Sequence, residues 1–238
     1  MSAALKRALG LLGAIATAAA AFSTSGCQQT ETRPQAQRPI LLLLTSLPIV
    51  FGEEFSLEGT GSPALSALET RYRVVPISVT DKFELAKGRL LLMAQPGAQA
   101  PENLVVLDKW VRRGGRVMVL ADPMLEWPSK RPLGDRLRPP IMFTDTGLLG
   151  HWGLRLDAPD ERGPVERKLA GRNIVAISPG ALLGKCEIAD DRLVARCQLG
   201  KGQATVVADA DILNGETDGS KRNLDALLTE LATLEETR

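Results

Sequence analysis

The stretch "KWVRRGGRVMVLADP", residues 109–123, decides how the chain is read. Two glycines stand between a helix-like segment and an apolar run that ends in aspartate. Upstream, Pro101 and Glu102 suit a helix start, where the dipole favours an acid. Leu104, Leu107 and Val111 then recur on one helical face, joined by Trp110, and Arg112 and Arg113 fill the last turn. Gly114 follows, at the position where helices end in left-handed backbone. "RVMVLAD" has the continuous apolar character of a strand buried on both faces. The order is therefore helix, glycines, strand. A phosphate-cradling loop needs the reverse order, so that N–H groups at a helix N-terminus point at the anion. The pair is read as a cap and a turn. "GKGQ" at 200–203, which also precedes a strand, is read as a tight turn.

Similar units lie on either side. Ile40–Leu44 opens a buried strand that ends in Thr45 and Ser46, and "PALSALETR" is a short helix with Pro63 in its first turn. "YRVVPISV" and "GRLLLMAQ" are strand-like, the second closed by Pro96-Gly97. "TDTGLLGHWGLRL" is expected to hold a short helix and a strand entering at Gly153, and "GRNIVAISPGALL" a further strand. Ala204–Ala208 forms another buried run. A final helix over 221–235 carries Leu224, Leu227, Leu228, Leu231 and Leu234 on one face, with Ser220 as its N-cap. Residues 123–147, rich in proline and charge, are expected to be an irregular excursion. Residues 39–238 thus read as a single α/β domain with a mostly parallel sheet.

Composition narrows the function. The 238 residues are 44% hydrophobic and 24% charged, as in an ordinary globular protein. A net charge of +1 and 4% aromatic residues argue against nucleic-acid binding. The single histidine, His151, removes most metal and acid–base schemes and is read as a packed or surface residue.

Residues 1–26 are read as a signal peptide: Lys6 and Arg7, an apolar stretch from Ala8 to Phe22, then small residues. The apolar stretch is short for a spanning helix, which needs about 20 residues; an uncleaved anchor is the competing reading. "TSGC" resembles a bacterial lipobox, with Thr24 where leucine is usual, and implies lipidation at Cys27. Plain export to the periplasm is the alternative. Residues 27–38 read as a polar tether. The expected location is the cell envelope, facing the periplasm, with the membrane reached through the lipid.

An exported chain changes the reading of Cys186 and Cys197. A hairpin turning at Asp191-Arg192 sets these residues opposite each other, within reach of a disulfide that an oxidising compartment would allow. Two free thiols, or a different register, are the alternatives.

Buried parallel strands place functional loops at their C-terminal ends. Those ends offer Thr45, Ser46, Gln95, Asp122, Asp209 and Asp211. Thr45, Ser46 and the three aspartates are the candidate ligand or partner site. The aspartates have two readings: oxygen ligands for a cation, as in a metal-dependent hydrolase, or caps and Asx-turns of the local backbone. No catalytic nucleophile is found: the strand end "MAQPGAQA" carries neither serine nor cysteine at an elbow. No cofactor and no resident metal are expected.

"LDKWVRRGGRVMVLADP", "LLGHWGLRLD" and "GKGQATVVADADILN", with Asn223 downstream, resemble the extracytoplasmic auxiliary proteins of uncharacterised ABC-type transport systems. The gliding-motility-associated auxiliary proteins are the best-known type. The layout is also similar to the non-catalytic domains related to class I glutamine amidotransferases. The resemblance covers roughly residues 38–236. It implies a flavodoxin-like three-layer sandwich, here with an added β-hairpin. It further implies a non-enzymatic envelope protein that assists a transporter, with ABC permease and ATPase subunits as partners. "AQPGAQ" stands where an amidotransferase carries its strand-end cysteine, and the histidine–glutamate pair is missing. A purely structural envelope lipoprotein is the remaining expectation.

Overall fold

The computed structural model describes residues 34–52 and 61–236. The signal peptide, Cys27 and most of the tether lie outside the described residues.

The elements run β1 (Ile40–Thr45), α1 (Pro63–Arg71), β2 (Arg73–Pro76), α2 (Lys82–Leu85), β3 (Leu90–Ala94), α3 (Pro101–Arg112) and β4 (Arg116–Leu120). After the excursion come α4 (Leu148–His151), β5 (Leu154–Asp157), β6 (Pro164–Leu169), β7 (Arg172–Ile177), β8 (Ala181–Gly184), β9 (Glu187–Ala189), β10 (Val194–Leu199), β11 (Gly202–Val207) and α5 (Ser220–Glu236). Seven strands form one open sheet in the order β2-β1-β3-β4-β11-β10-β9. The five from β2 to β11 are parallel, and β10 runs antiparallel to both its neighbours. The fold is mixed α/β with a mostly parallel sheet, as the sequence leads one to expect. Every residue of β3 is buried, as are the middle residues of β1 and β4. Successive side chains point to opposite faces, so both faces of the sheet are covered. The helix α5 packs on β4 and β7 with α1 beside it, and α3 packs on β11.

The opening glycines behave as read. Gly114 has φ +114°, and its N–H donates to Val111 O while that of Gly115 donates to Trp110 O. This pair of bonds closes α3 in a Schellman turn. "GKGQ" docks on the same helix end: Lys201 N–H donates to Arg112 O, and a Cβ on Gly202 would meet Val111 O at 1.9 Å. Only glycine permits that approach.

Cys186 and Cys197 are bonded, and β9 and β10 pair Ala195 with Ile188 and Arg196 with Glu187. That is the register expected from a turn at Asp191-Arg192. The cysteine hairpin is not an addition to the main sheet, however, because it continues that sheet through β11. The separate hairpin is β6–β7, and β5 pairs with β8 as a second small sheet.

Residues 123–147 form no helix or strand, yet they are pinned. Gln95, buried with φ +43°, donates through Nε2 to Asp122 O and Pro140 O and accepts Asp122 N–H at Oε1. This amide ties both ends of the excursion to the end of β3.

Candidate functional site

Because β4 and β11 are parallel neighbours, with Val207 beside Leu120, their ends bring Asp122 and Asp209 together. Asp211 follows in a 3-10 turn, Asp211–Leu213. All three are buried, and one oxygen from each lies within 4.8 Å of the others. Their remaining chemistry is largely occupied. Asp122 accepts N–H groups from Met124 at 2.8 Å and Ala210 at 2.9 Å. Asp209 accepts from Ile177 at 2.9 Å and Ile212 at 3.2 Å, and Asp211 accepts from Glu126 at 2.9 Å. Glu126 in turn accepts the Ser178 hydroxyl. The cluster therefore joins the excursion, the end of β7 and the 3-10 turn. Five of the six carboxylate oxygens already face N–H donors, as the backbone-anchoring reading of these aspartates expects. Burial pushes the Asp122 carboxyl up to about 6 and that of Asp211 up to about 7. Asp209 is raised well above the carboxylate range by burial and then by the charges of Asp122 and Asp211.

Thr45 and Ser46 lie elsewhere along the same edge. Thr45 pairs with Ala94 and Ala94 with Leu120, which sets Thr45 two strands from the end of β4. Its hydroxyl donates to Ala94 O at 2.8 Å and accepts Leu47 N–H at 2.9 Å, so it is committed to the backbone. Ser46 lines a cavity of about 410 Å³, together with Leu47, Phe51, Ile77, Gly97 and Gln99. None of the three aspartates lines it. The cavity sits where β2 and β3 leave opposite sides of β1, a topological switch point. Open α/β sheets bind ligands at that place, outside the strand C-termini. Its size suits a small ligand. Ser46 Oγ faces Gly97, 3.5 Å from where a side chain there would begin. Gln99 gives its Nε2 to Gly97 O at 3.2 Å, while its buried Oε1 has no partner among the described residues. The sequence-predicted site is thus split: Thr45 and Ser46 both line the cavity, with the Thr45 hydroxyl committed to the strand ladder, and the aspartates form a buried clasp away from it. Gly97 and Gln99 escape a sequence reading because "PGAQA" looks like any turn.

A second cavity, about 460 Å³, lies between Pro48, Pro63, Trp127, Pro128, Leu213 and Asn214. Asp211 holds the Glu126 N–H next to Trp127, so the clasp also fixes this wall. His151 lies on the surface, its Nε2 3.4 Å from Asp108 Oδ1.

No protein-family model and no curated protein matches the sequence. Among solved structures, a cytoplasmic protein from Salmonella typhimurium overlays with a TM-score of 0.51 at 9% identity, covering 82% of this chain and 98% of that one. An exo-beta-1,4-mannosidase from Opitutaceae bacterium strain TAV5 gives a TM-score of 0.49 at 11% identity, over 84% of this chain and 36% of that one. A beta-galactosidase from Bacillus circulans sp. alkalophilus gives 0.48 at 13% identity, over 84% and 31%. The chain spans about a third of the length of these two glycosidases. Such identities speak to fold alone. The expectation of a non-enzyme is corrected only to this extent: the structures that overlay on this chain include an exo-beta-1,4-mannosidase and a beta-galactosidase, and what those enzymes catalyse belongs to them.

Proposed function

We propose that the protein is a cell-envelope auxiliary or binding component of an ABC-type transport system, which holds a ligand or a partner segment in the cavity at the β1–β3 switch point. The observation that carries this reading is the cavity itself, open at the strand C-termini beside Ser46, Ile77 and Gly97. Three sequence features support it: the secretory start, the lipobox-like "TSGC", and the resemblance to extracytoplasmic auxiliary proteins of such systems. We also read the domain as a flavodoxin-like three-layer sandwich, supported by the strand order β2-β1-β3-β4-β11, whose first four strands follow the flavodoxin sequence.

The test is affinity purification of the full-length protein from detergent-solubilised membranes of its own host. The expected result is co-purification of an ABC permease and its ATPase, identified by mass spectrometry. Recovery of the protein with neither subunit contradicts the proposal. Enrichment of peptidoglycan-bound envelope proteins in their place favours a structural lipoprotein.

A further inference from the structure

Among the described residues eight large apolar side chains are exposed, and four of them, Leu133, Leu137, Ile141 and Met142, fall within ten residues of the excursion. Each is between 56% and 77% exposed. None of the four lines the switch-point cavity or the cavity beside Trp127. Exposed apolar side chains gathered in one short segment mark a surface that meets something. Cations are interleaved with them: Lys130, Arg131, Arg136 and Arg138 against the single acid Asp135 leave residues 129–143 with a formal charge of +3.

The backbone of this segment is suited to leaving water. Two consecutive turns carry the leucines: Asp135 N–H donates to Pro132 O at 3.2 Å, and Arg138 N–H to Asp135 O at 3.1 Å. Leu137 N–H donates to Asp135 Oδ1 at 2.8 Å, and Arg131 N–H to Ser129 Oγ at 3.2 Å. Pro132, Pro139 and Pro140 have no N–H to satisfy. Polar groups that find partners inside the segment lower the cost of entering an apolar phase. The loop is also held in shape. The Arg138 guanidinium donates to Arg131 O across its neck, Arg131 pairs with Asp135 at 3.6 Å, and Gln95 holds Pro140 O. Little conformational freedom remains to be lost on contact.

Aliphatic side chains set among cations complement a surface that is anionic outside and apolar within, which is a bilayer containing anionic phospholipid. A protein partner would need a pocket for each protruding side chain, and the anchors of such interfaces favour Trp and Tyr over Leu. Residues 130–142 contain no aromatic side chain. We infer that this loop docks the domain on an anionic phospholipid bilayer: Leu133, Leu137, Ile141 and Met142 enter the interface, and Lys130 and Arg136 lie among the headgroup phosphates. The contact belongs to the folded domain and needs neither Cys27 nor the switch-point cavity, so it goes beyond the transport reading.

The experiment is flotation of the chain from Gln28 onward, which carries neither the signal stretch nor Cys27, with vesicles of phosphatidylcholine alone or mixed equally with phosphatidylglycerol. The chain is expected to float with the mixed vesicles and not with the neutral ones, and to be released as salt screens the charges. Leu133→Ser should weaken partitioning by about tenfold or more, the loss of one aliphatic side chain from the interface. Arg136→Gln should weaken it about fivefold, the loss of one cation near the anionic surface. Val105→Ser, on the exposed side of α3, should change nothing. A polarity-sensitive dye on Leu137→Cys should shift to the blue on mixed vesicles. Failure to float with the mixed vesicles, equal flotation with both kinds, or wild-type flotation by Leu133→Ser would overturn the inference. A dye shift that follows protein concentration without vesicles would overturn it in favour of a second copy of the chain on this loop. Co-purification of transporter subunits is a separate readout, so either proposal can fail while the other stands.

Discussion

Asp209 shows how much one buried side chain can hold. Both its oxygens accept N–H groups, from the last residue of β7 and from the turn that follows β11. An asparagine there must turn its own N–H₂ toward one of these donors. Asp209→Asn is expected to destabilise the mature chain by about 1–3 kcal/mol, read from urea unfolding midpoints; an unchanged midpoint would contradict the anchoring role. Asp211 behaves differently, because a single bond, from Glu126, is recorded at its carboxylate, and an asparagine carbonyl can keep it. Its protonation is the informative quantity. Folding raises Asp211 to about 7 and Asp122 to about 6, against about 3.9 for an unfolded aspartate. The folded state therefore keeps protons that the unfolded chain has released. The stability this confers is fully present below about pH 4 and is lost as the pH rises through about 6 to 7. Unfolding midpoints measured from about pH 5 to about pH 8 should fall, and Asp211→Asn should flatten that slope. A wild-type slope unaffected by the substitution would show that the cluster does not titrate in this range.

Among the described elements, the hairpin β9–β10 is pinned by a covalent bond and an ion pair together. The disulfide closes 11 residues of separation between Cys186 and Cys197. Arg196 of β10 makes a two-pronged pair with Glu230 of α5, at 2.7 and 2.8 Å, and Glu230 is buried. Replacing both cysteines with serine should cost up to about 3 kcal/mol. Glu230→Ala should cost up to about 3–5 kcal/mol, because it removes the nearest partner of a half-buried guanidinium and leaves it only the more distant Asp190, at 3.9 Å. Calorimetry on both variants checks the ranking. The same elements show what a sequence discloses. β1, β3, β4 and β11 announce themselves as apolar runs because parallel strands are buried on both faces. The hairpin register is legible because two cysteines flank a turn. By contrast, β6 is hidden: "PVERKL" opens on proline and carries three charges, and only one of its residues is fully buried. The four-residue α2 also escapes, since it is made by its cap, with Asp81 accepting the N–H groups of Phe83 and Glu84, rather than by an apolar stripe. The site is the least legible part. Aspartates at strand ends look like ligands, and only the structure discloses the backbone N–H groups they accept. Asn223 is similar: its amide pairs with both N–H and C=O of Val175, extending the edge of β7, a role no spacing reveals.

At the scale of the whole molecule, the account joins an address to a crevice. The address is a proposal that rests on residues 1–27: mass spectrometry of membrane-extracted protein should find a diacylglyceryl adduct on a chain that begins at Cys27, and a soluble product cut earlier would contradict it. The crevice is open at one edge of the sheet, on the far side of β3 from the aspartate clasp. Its use by a transporter partner is the central claim, and site-specific photocrosslinking tests it most directly. A photoreactive residue placed at Gly97, on the cavity wall, is compared in living cells with one at Val105, half exposed on α3. The account predicts a crosslink from position 97, and not from position 105, to a permease or ATPase subunit of an ABC-type system. No such adduct at 97, or the same adduct from both positions, would contradict it.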